Sequence, residues 1–296
     1  STGSGVAWEA VAGGPVFKTF GTSSFMVGDD ATGTINGANY NVGVGIDVFA
    51  ALTEGDDNVA IGFSAAKALT TGVRNVFIGE EAGSVGTATS YSVGIGREAL
   101  KNATANDNTA VGYVALKGLT SGGSNVAVGR SAMSGVVTGS HNTAVGRSAG
   151  AAITSGLENV FIGKDAGAAT TTGAYSVAVG ALALKVNTTG SNVAIGQAAM
   201  IANTTGSGNT AVGTYDPVGG GLQPLKSNTT GHKNTGIGSG ALSANTTAVG
   251  NVAVGYEAML ATTTQGDNTA LGYQALKVST TGYGCVAVGA YALDAN

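Results

Sequence analysis

The chain has 296 residues, of which 51 are glycine, with 43% hydrophobic, 6% aromatic and 10% charged residues and a formal net charge of −4. Glycine far above its usual share of about 7% excludes an ordinary globular core and calls for narrow, tightly stacked elements built from small side chains, while the hydrophobicity excludes disorder. The acidic balance offers no clustered basic face for nucleic acid, no apolar run of about eighteen residues predicts a membrane helix, and the single cysteine, Cys285, permits neither an intrachain disulfide nor a closed cysteine zinc site.

Residues 1–40 lack any repeat and concentrate large apolar groups: Trp8, Pro15, Phe17, Phe20, Phe25 and Met26. Such a segment is expected to cap the first turn of a stack or to attach it to something larger. The opening Ser1-Thr2-Gly3-Ser4-Gly5 has no initiator Met and reads as a processed product or a piece of a longer chain.

From residue 41 to 296 one motif recurs, Asn-[Val/Thr]-x-[Val/Ile/Leu]-Gly, closing at Gly45 and then every seventeen residues to Gly289. The spacing falls to sixteen twice, from Gly96 to Gly112 and from Gly180 to Gly196, and widens to 25 once, from Gly213 to Gly238. A fixed period of this kind predicts an all-β, parallel β-solenoid, a β-roll or β-helix of about fifteen 17-residue turns. Within a turn the strand alternates, with Val126 and Val128 on one face and Asn125, Ala127 and Gly129 on the other. A second apolar segment follows each glycine, as at Ala99-Leu100, Ala132-Met133 and Ala275-Leu276. Bends written Thr70-Thr71-Gly72, Thr188-Thr189-Gly190, Thr204-Thr205-Gly206, Thr229-Thr230-Gly231 and Thr280-Thr281-Gly282 are expected to use the glycine for positive φ.

Stacking superimposes like residues at about 4.8 Å per turn, giving a rod of about 70 Å. The motif asparagines, Asn41 and then Asn58, Asn75, Asn108, Asn125, Asn142, Asn159, Asn192, Asn209, Asn234, Asn251 and Asn268, are predicted to form a structural ladder, each bonding the turn above and the turn below. Ser92, Ser176 and Cys285 take the same position in three turns and shorten the rung, Cys285 as a small buried residue. The chain ends directly after a regular half-motif, so something is expected to cover that edge.

The phrases Asn108-Thr109-Ala110-Val111-Gly112, Asn192-Val193-Ala194-Ile195-Gly196 and Asn268-Thr269-Ala270-Leu271-Gly272-Tyr273-Gln274-Ala275-Leu276 resemble the repeats of phage tail-fibre and other virion structural proteins. They are similar, less closely, to the shorter head repeats of trimeric autotransporter adhesins, which share the Val-Ala-Ile-Gly strand. The resemblance covers about residues 41–296. It implies a homotrimer of parallel β-coils about a common axis, on a virion or outside the cell at its surface, used for attachment. The seventeen-residue unit is longer than the autotransporter one, and no neck, coiled-coil stalk or membrane β-barrel follows, so the phage reading leads.

Candidate sites are few. The expansion at about 214–224, with two of the three prolines, is expected to project as a loop, and Tyr215 and Asp216 are candidate glycan or receptor contacts. Tyr256 and Tyr273 share a register on adjacent turns, with Phe63 and Tyr113 at that position elsewhere, and are further candidates as an aromatic ladder. Glu81 and Glu98 also share a register, near the ~5 to 5.5 Å carboxylate spacing of retaining glycosidases, beside a Glu80–Arg97 ion pair. Arg130, Arg147 and Lys164 stack as a basic stripe, and His141 and His232 lie in bends too many turns apart to share a metal within one chain. Asn187-Thr188-Thr189 and Asn203-Thr204-Thr205 match the glycosylation sequon, which turn chemistry explains equally well.

The reading that follows is a non-catalytic attachment fibre, with no metal and no cofactor. Its expected partners are further copies of itself, as a homotrimer with end-to-end assembly open, and a cell-surface glycan or receptor bound at loops or a distal tip, with neither nucleic acid nor membrane insertion. Alternatives are a self-assembling extracellular filament, an ice-binding solenoid and a polysaccharide-degrading tailspike. Adjacent Thr-Thr pairs point to opposite faces, which disfavours a flat ice-binding rank.

Overall fold

The structure, a computed structural model, describes residues 16–28, 37–217 and 221–294; Trp8 and Pro15 lie outside them. β1 (Val16–Phe20) and β2 (Ser24–Gly28) form an antiparallel hairpin. β2 then pairs in parallel with β3 (Val42–Gly45), Phe25 opposite Val42 and Gly28 opposite Gly45. From there each turn contributes a three-residue strand, from Val59–Ile61 to Val286–Val288, in register with the motif before it, so that Ala127 lies opposite Ala144 and Ala144 opposite Phe161. The protein is all-β, with no helix among the described residues: a parallel β-solenoid of about fifteen turns of about seventeen residues. Stacking begins inside the segment 1–40, because Met26 is fully buried and takes the place that Gly43 and Ala60 hold in the next two turns.

The strand alternation settles which face is the core. Asn125 and Ala127 are fully buried, whereas Val126 keeps 36% of its surface and Val128 is half-buried. The small side chains point in and the β-branched ones point out. The second segment is buried too, at Ala99-Leu100, Ala132-Met133 and Ala275-Leu276.

Core volume is shared between two positions of each turn. Many turns carry Ala in mid-strand and Leu or Met four residues after the glycine, such as Ala110 with Leu116 and Ala127 with Met133, these four fully buried. Where the strand carries Phe77 or Phe161, the second position is Gly83 or Gly167, and a Cβ there would lie 2.6 Å from the ring. Where the second position carries Phe49, the strand carries Gly43, whose Cβ would lie 3.1 Å from it. Turns with small residues at both positions, such as Ala144 with Gly150, sit beside a large one, and a Cβ on Gly150 would lie 2.9 Å from the Phe161 ring of the next turn, so close packing is met across neighbouring layers.

The backbone is left-handed at three non-glycine registers per turn: before each motif Asn (Arg74, φ 57), two residues after the glycine (Glu98, φ 56) and four after it (Leu100, φ 54). Each costs about 1 kcal/mol or more, offset only because the stacked turns fix the corner. The glycine of the Thr-Thr-Gly bends does something other than expected. Gly72, Gly190, Gly206, Gly231 and Gly282 are not among the positive-φ glycines; that conformation belongs to the motif glycines, such as Gly129 at φ +132. The bend glycines are needed for close approach, since a Cβ on Gly231 would lie 2.5 Å from the Ala248 carbonyl oxygen of the next turn.

The asparagine ladder runs from turn to turn, with its backbone contact continuous and its side-chain rung present in part. Asn58 Oδ1 accepts the Asn75 backbone N–H at 3.0 Å and Asn75 Nδ2 at 2.9 Å, while Asn75 Nδ2 also donates to the Thr89 carbonyl at 2.6 Å. The same contacts run through Asn108, Asn125, Asn142 and Asn159 and through Asn192, Asn209 and Asn234, and the backbone contact continues to Asn251 and Asn268. At Ser92 and Ser176 the hydroxyl accepts the next backbone N–H, from Asn108 at 3.2 Å and Asn192 at 3.4 Å, and these are the two turns that have lost a residue. Cys285 differs from expectation: it is half-buried rather than buried, because no described strand stacks on it beyond its own.

Candidate functional site

Three of the four residues expected at a glycan or receptor site form one cluster, and the tight folding of the 214–224 expansion brings them together. Asp216 and Leu222 form an antiparallel bridge, and the Gly221 N–H donates to the Asp216 carbonyl at 2.8 Å. The segment then leans on the turns that follow it: Ser239 Oγ donates to the Leu222 carbonyl at 3.1 Å, and Tyr256 Oη donates to Asp216 Oδ2 at 2.9 Å. Hydrogen bonding to that carboxylate, with burial second, pushes the Tyr256 phenol up to about 12. The expansion therefore folds against the shaft at its described residues instead of projecting, and residues 218–220 lie outside them. Leu225 resumes the second core segment, fully buried.

Tyr256 and Tyr273 stack with ring centroids 5.4 Å apart and planes 11° apart, and Tyr291 meets Tyr273 edge-on at 5.3 Å. The ladder is real, but its faces are turned toward one another along the rod, leaving mainly ring edges for a ligand. Beneath it the nearly buried Glu257 accepts from Gln274 Nε2 at 2.6 Å and pairs with Lys277 at 2.6 Å. Tyr215, 41% exposed, stands apart from the stack against Gly221.

The Glu81 and Glu98 carboxylates are held in an ion-pair network. Lys101 Nζ sits between the two carboxylates, 2.7 Å from Glu81 and 3.1 Å from Glu98, and Lys117 Nζ is 2.7 Å from the other oxygen of Glu98. The Lys117 hydrogen bond, against the opposing effect of burial and with help from Lys101, holds the Glu98 carboxyl down to about 2. A proton donor needs its carboxyl raised, so this pair is an ion-pair network. Sequence spacing found the shared register and missed the lysines, which reach it from the turn after each glutamate.

Arg97 pairs with Glu80 at 3.3 Å and, with Arg130, flanks the Tyr113 ring at 6.0 and 5.8 Å. Arg147 and Lys164 continue the row, exposed. His232 Nδ1 accepts the Ser207 N–H at 3.0 Å and His141 is exposed in its bend; among the described residues no group of three or more His, Cys, Asp or Glu side chains is placed to hold a metal. No helix among them is long and apolar enough to cross a membrane.

A second ladder went unread in the sequence. Asn187, Asn203, Asn228 and Asn245 are fully buried, and Nδ2 of each of the last three donates to the Oδ1 of the asparagine before it at 2.7 Å. Earlier turns hold Leu52, Leu69, Leu119 and Ile153 in that place, so the core changes from apolar to amide along the rod. This burial withdraws both sequon asparagines, Asn187 and Asn203, from any modifying enzyme acting on the folded chain.

The largest feature is the outer strand face. Val44, Ile61, Ile95, Ile162, Ile195 and Ile237 are 36% to 39% exposed in one column, and valine and threonine form the column beside it. At about 4.8 Å per turn and about 10 Å of width, fifteen turns make a β-branched band with a footprint of about 700 Å², threonines included, of the size at which an exposed face marks association. No family model, no curated protein and no solved structure matches the chain.

Proposed function

We propose that this chain is the shaft of a structural attachment fibre, non-catalytic and displayed on a virion or at a cell surface, in which three copies lie parallel with their outer strand faces covered by one another. Recognition of a glycan or receptor falls to loops, of which the Tyr215–Asp216 segment beside Tyr256 and Tyr273 is the candidate on this chain, or to a distal tip. The observation that carries the reading is the continuous β-branched band on the outer face, which a lone coil exposes and an assembly covers. The thin core supports it, since a coil with alanine and glycine at its centre gains by associating. Light scattering coupled to size exclusion tests it: a mass about three times 28.5 kDa is expected. A monomer would end the fibre reading, and a growing, polydisperse species would replace it with a self-assembling filament.

A further inference from the structure

We infer that copies of the chain pack level with one another, so that the residue following each motif glycine on one copy meets, on its neighbour, the residue five before that glycine in the same turn. This rests on the lateral association proposed above and adds the register and the contact edges.

Those two positions are the borders of the outer strand face, and they are exposed at Arg74, Glu80, Tyr91, Arg97, Glu158 and Lys164. In two turns they carry opposite charges, and in a third an arginine faces a tyrosine. The turn closing at Gly79 has Arg74 on one border and Glu80 on the other; the turn closing at Gly163 has Glu158 and Lys164; the turn closing at Gly96 has Tyr91 and Arg97. No turn carries the same formal charge on both borders. Within one chain these pairs do not meet, because six extended residues hold them about 20 Å apart. The chain's own stack gives these borders only solvent-exposed partners: Arg74 and Asp57 are 3.6 Å apart with side chains 60% and 45% exposed, Arg97 and Glu80 are 3.3 Å apart with side chains 53% and 48% exposed, and Arg74 donates to Tyr91 Oη at 2.9 Å.

Geometry favours three copies. Three faces about 20 Å wide, closed edge to edge as a triangular prism, stand about 6 Å from the common axis, close to half the ~10 Å spacing at which sheets pack face to face. Four would leave a hollow about twice as wide. Rotation about an axis along the rod moves no residue up or down, so a closed ring brings each turn against the same turn of its neighbour. A slip of one turn one way would set Glu80 against Asp57 and Arg97 against Arg74. A slip the other way sets Arg97 against Asp107 and Arg147 against Glu158, as many opposite pairs as level packing, and is excluded only because it cannot close.

Disulfide trapping separates these arrangements. In a Cys285→Ala background, Ser124→Cys with Arg130→Cys places one thiol on each border of a single turn, and Glu158→Cys with Lys164→Cys repeats the test two turns further on. Mild oxidation is expected to convert the full chain to a reducible covalent trimer with no larger species, because bridging requires Cα atoms about 4.4–6.8 Å apart. The comparison variant, Arg130→Cys with His141→Cys, is expected to link at least about tenfold more slowly. Faster linking by that variant would overturn level packing in favour of a one-turn offset. If both same-turn pairs stay unlinked while light scattering still gives a trimer, the edge contact is wrong and the trimer stands. A monomeric mass would overturn the association itself.

Discussion

The Phe77 ring occupies the space that a side chain on Gly83 would fill: a Cβ built on Gly83 lies 2.6 to 2.7 Å from three ring carbons, with φ +58. The two positions exchange volume within one layer. Phe77→Ala is expected to lower stability by about 3–5 kcal/mol. The double variant Phe77→Ala with Gly83→Leu is expected to recover most of it, since Leu100 and Leu116 already occupy that register at φ 54 and φ 47. Denaturant titration of the single and double variants measures this, and a double variant weaker than Phe77→Ala would refute the exchange.

The asparagine ladder makes a graded prediction. Asn125 Oδ1 accepts from the Asn142 N–H at 2.9 Å and from Asn142 Nδ2 at 3.1 Å, and its own Nδ2 donates to Asn108 Oδ1 and to the Gly139 carbonyl. Asn125→Ala strands these groups in the core, at about 2–4 kcal/mol. Asn125→Ser should cost clearly less, because Ser92 and Ser176 show the hydroxyl taking the next backbone N–H. Amide hydrogen exchange is the suitable measurement, since long arrays need not unfold in one step; the loss of protection is expected in the turns around residues 108–142.

Two glycine substitutions should differ sharply. Gly129→Ala puts a Cβ 2.6 Å from the Gly146 carbonyl oxygen at a φ of +132, so the turn must open, whereas Gly37→Ala meets nothing within 4 Å. The first is expected to lower the melting temperature by many degrees or prevent folding and the second to leave it within about a degree. Equal melting temperatures would contradict the turn spacing.

Acid sensitivity follows from Glu98. Its folded carboxyl titrates at about 2 against an ordinary 4.5, first because of Lys117 and then Lys101. A depressed carboxylate stabilises the fold above its ordinary value, and that contribution fades as pH falls from about 4.5 to about 2. Glu98→Gln should therefore be less stable than the native chain at pH 7, by about 1–3 kcal/mol, and equal to it near pH 2. Thermal melts across that range test the sign.

Tyr256 ties the expansion to the shaft through Asp216 at 2.9 Å. Tyr256→Phe is expected to speed proteolysis within 214–224 while the melting temperature of the shaft holds, and to remove the tyrosine that titrates near 12 in an ultraviolet pH titration. Unchanged proteolysis would show that the bridge from Asp216 to Leu222 holds the segment alone.

The sequence by itself determined the solenoid, its period, its strands and the main ladder, because stacking in register makes every turn repeat the same physical problem and leaves the same residues at Gly129, Asn125 and Ala127. It also marked the two shortened turns and the expansion. Only the tertiary structure decided what depends on neighbours from other turns. Glu81 and Glu98 looked like a carboxylate pair until Lys101 and Lys117 reached them from the next coil. The Thr-Thr-Gly glycines looked like positive-φ bends until, at Gly72, Gly190, Gly206 and Gly231, a neighbouring turn's carbonyl proved to lie where a Cβ would stand. Asn187 and Asn203 read as sequon or turn residues and are buried as a second ladder, since whether a bend residue faces in or out depends on the corner angle, which no spacing encodes. Which strand face is the core was decided the same way: alternation separates Val126 from Ala127, but only closure of the narrow coil puts the smaller one inside.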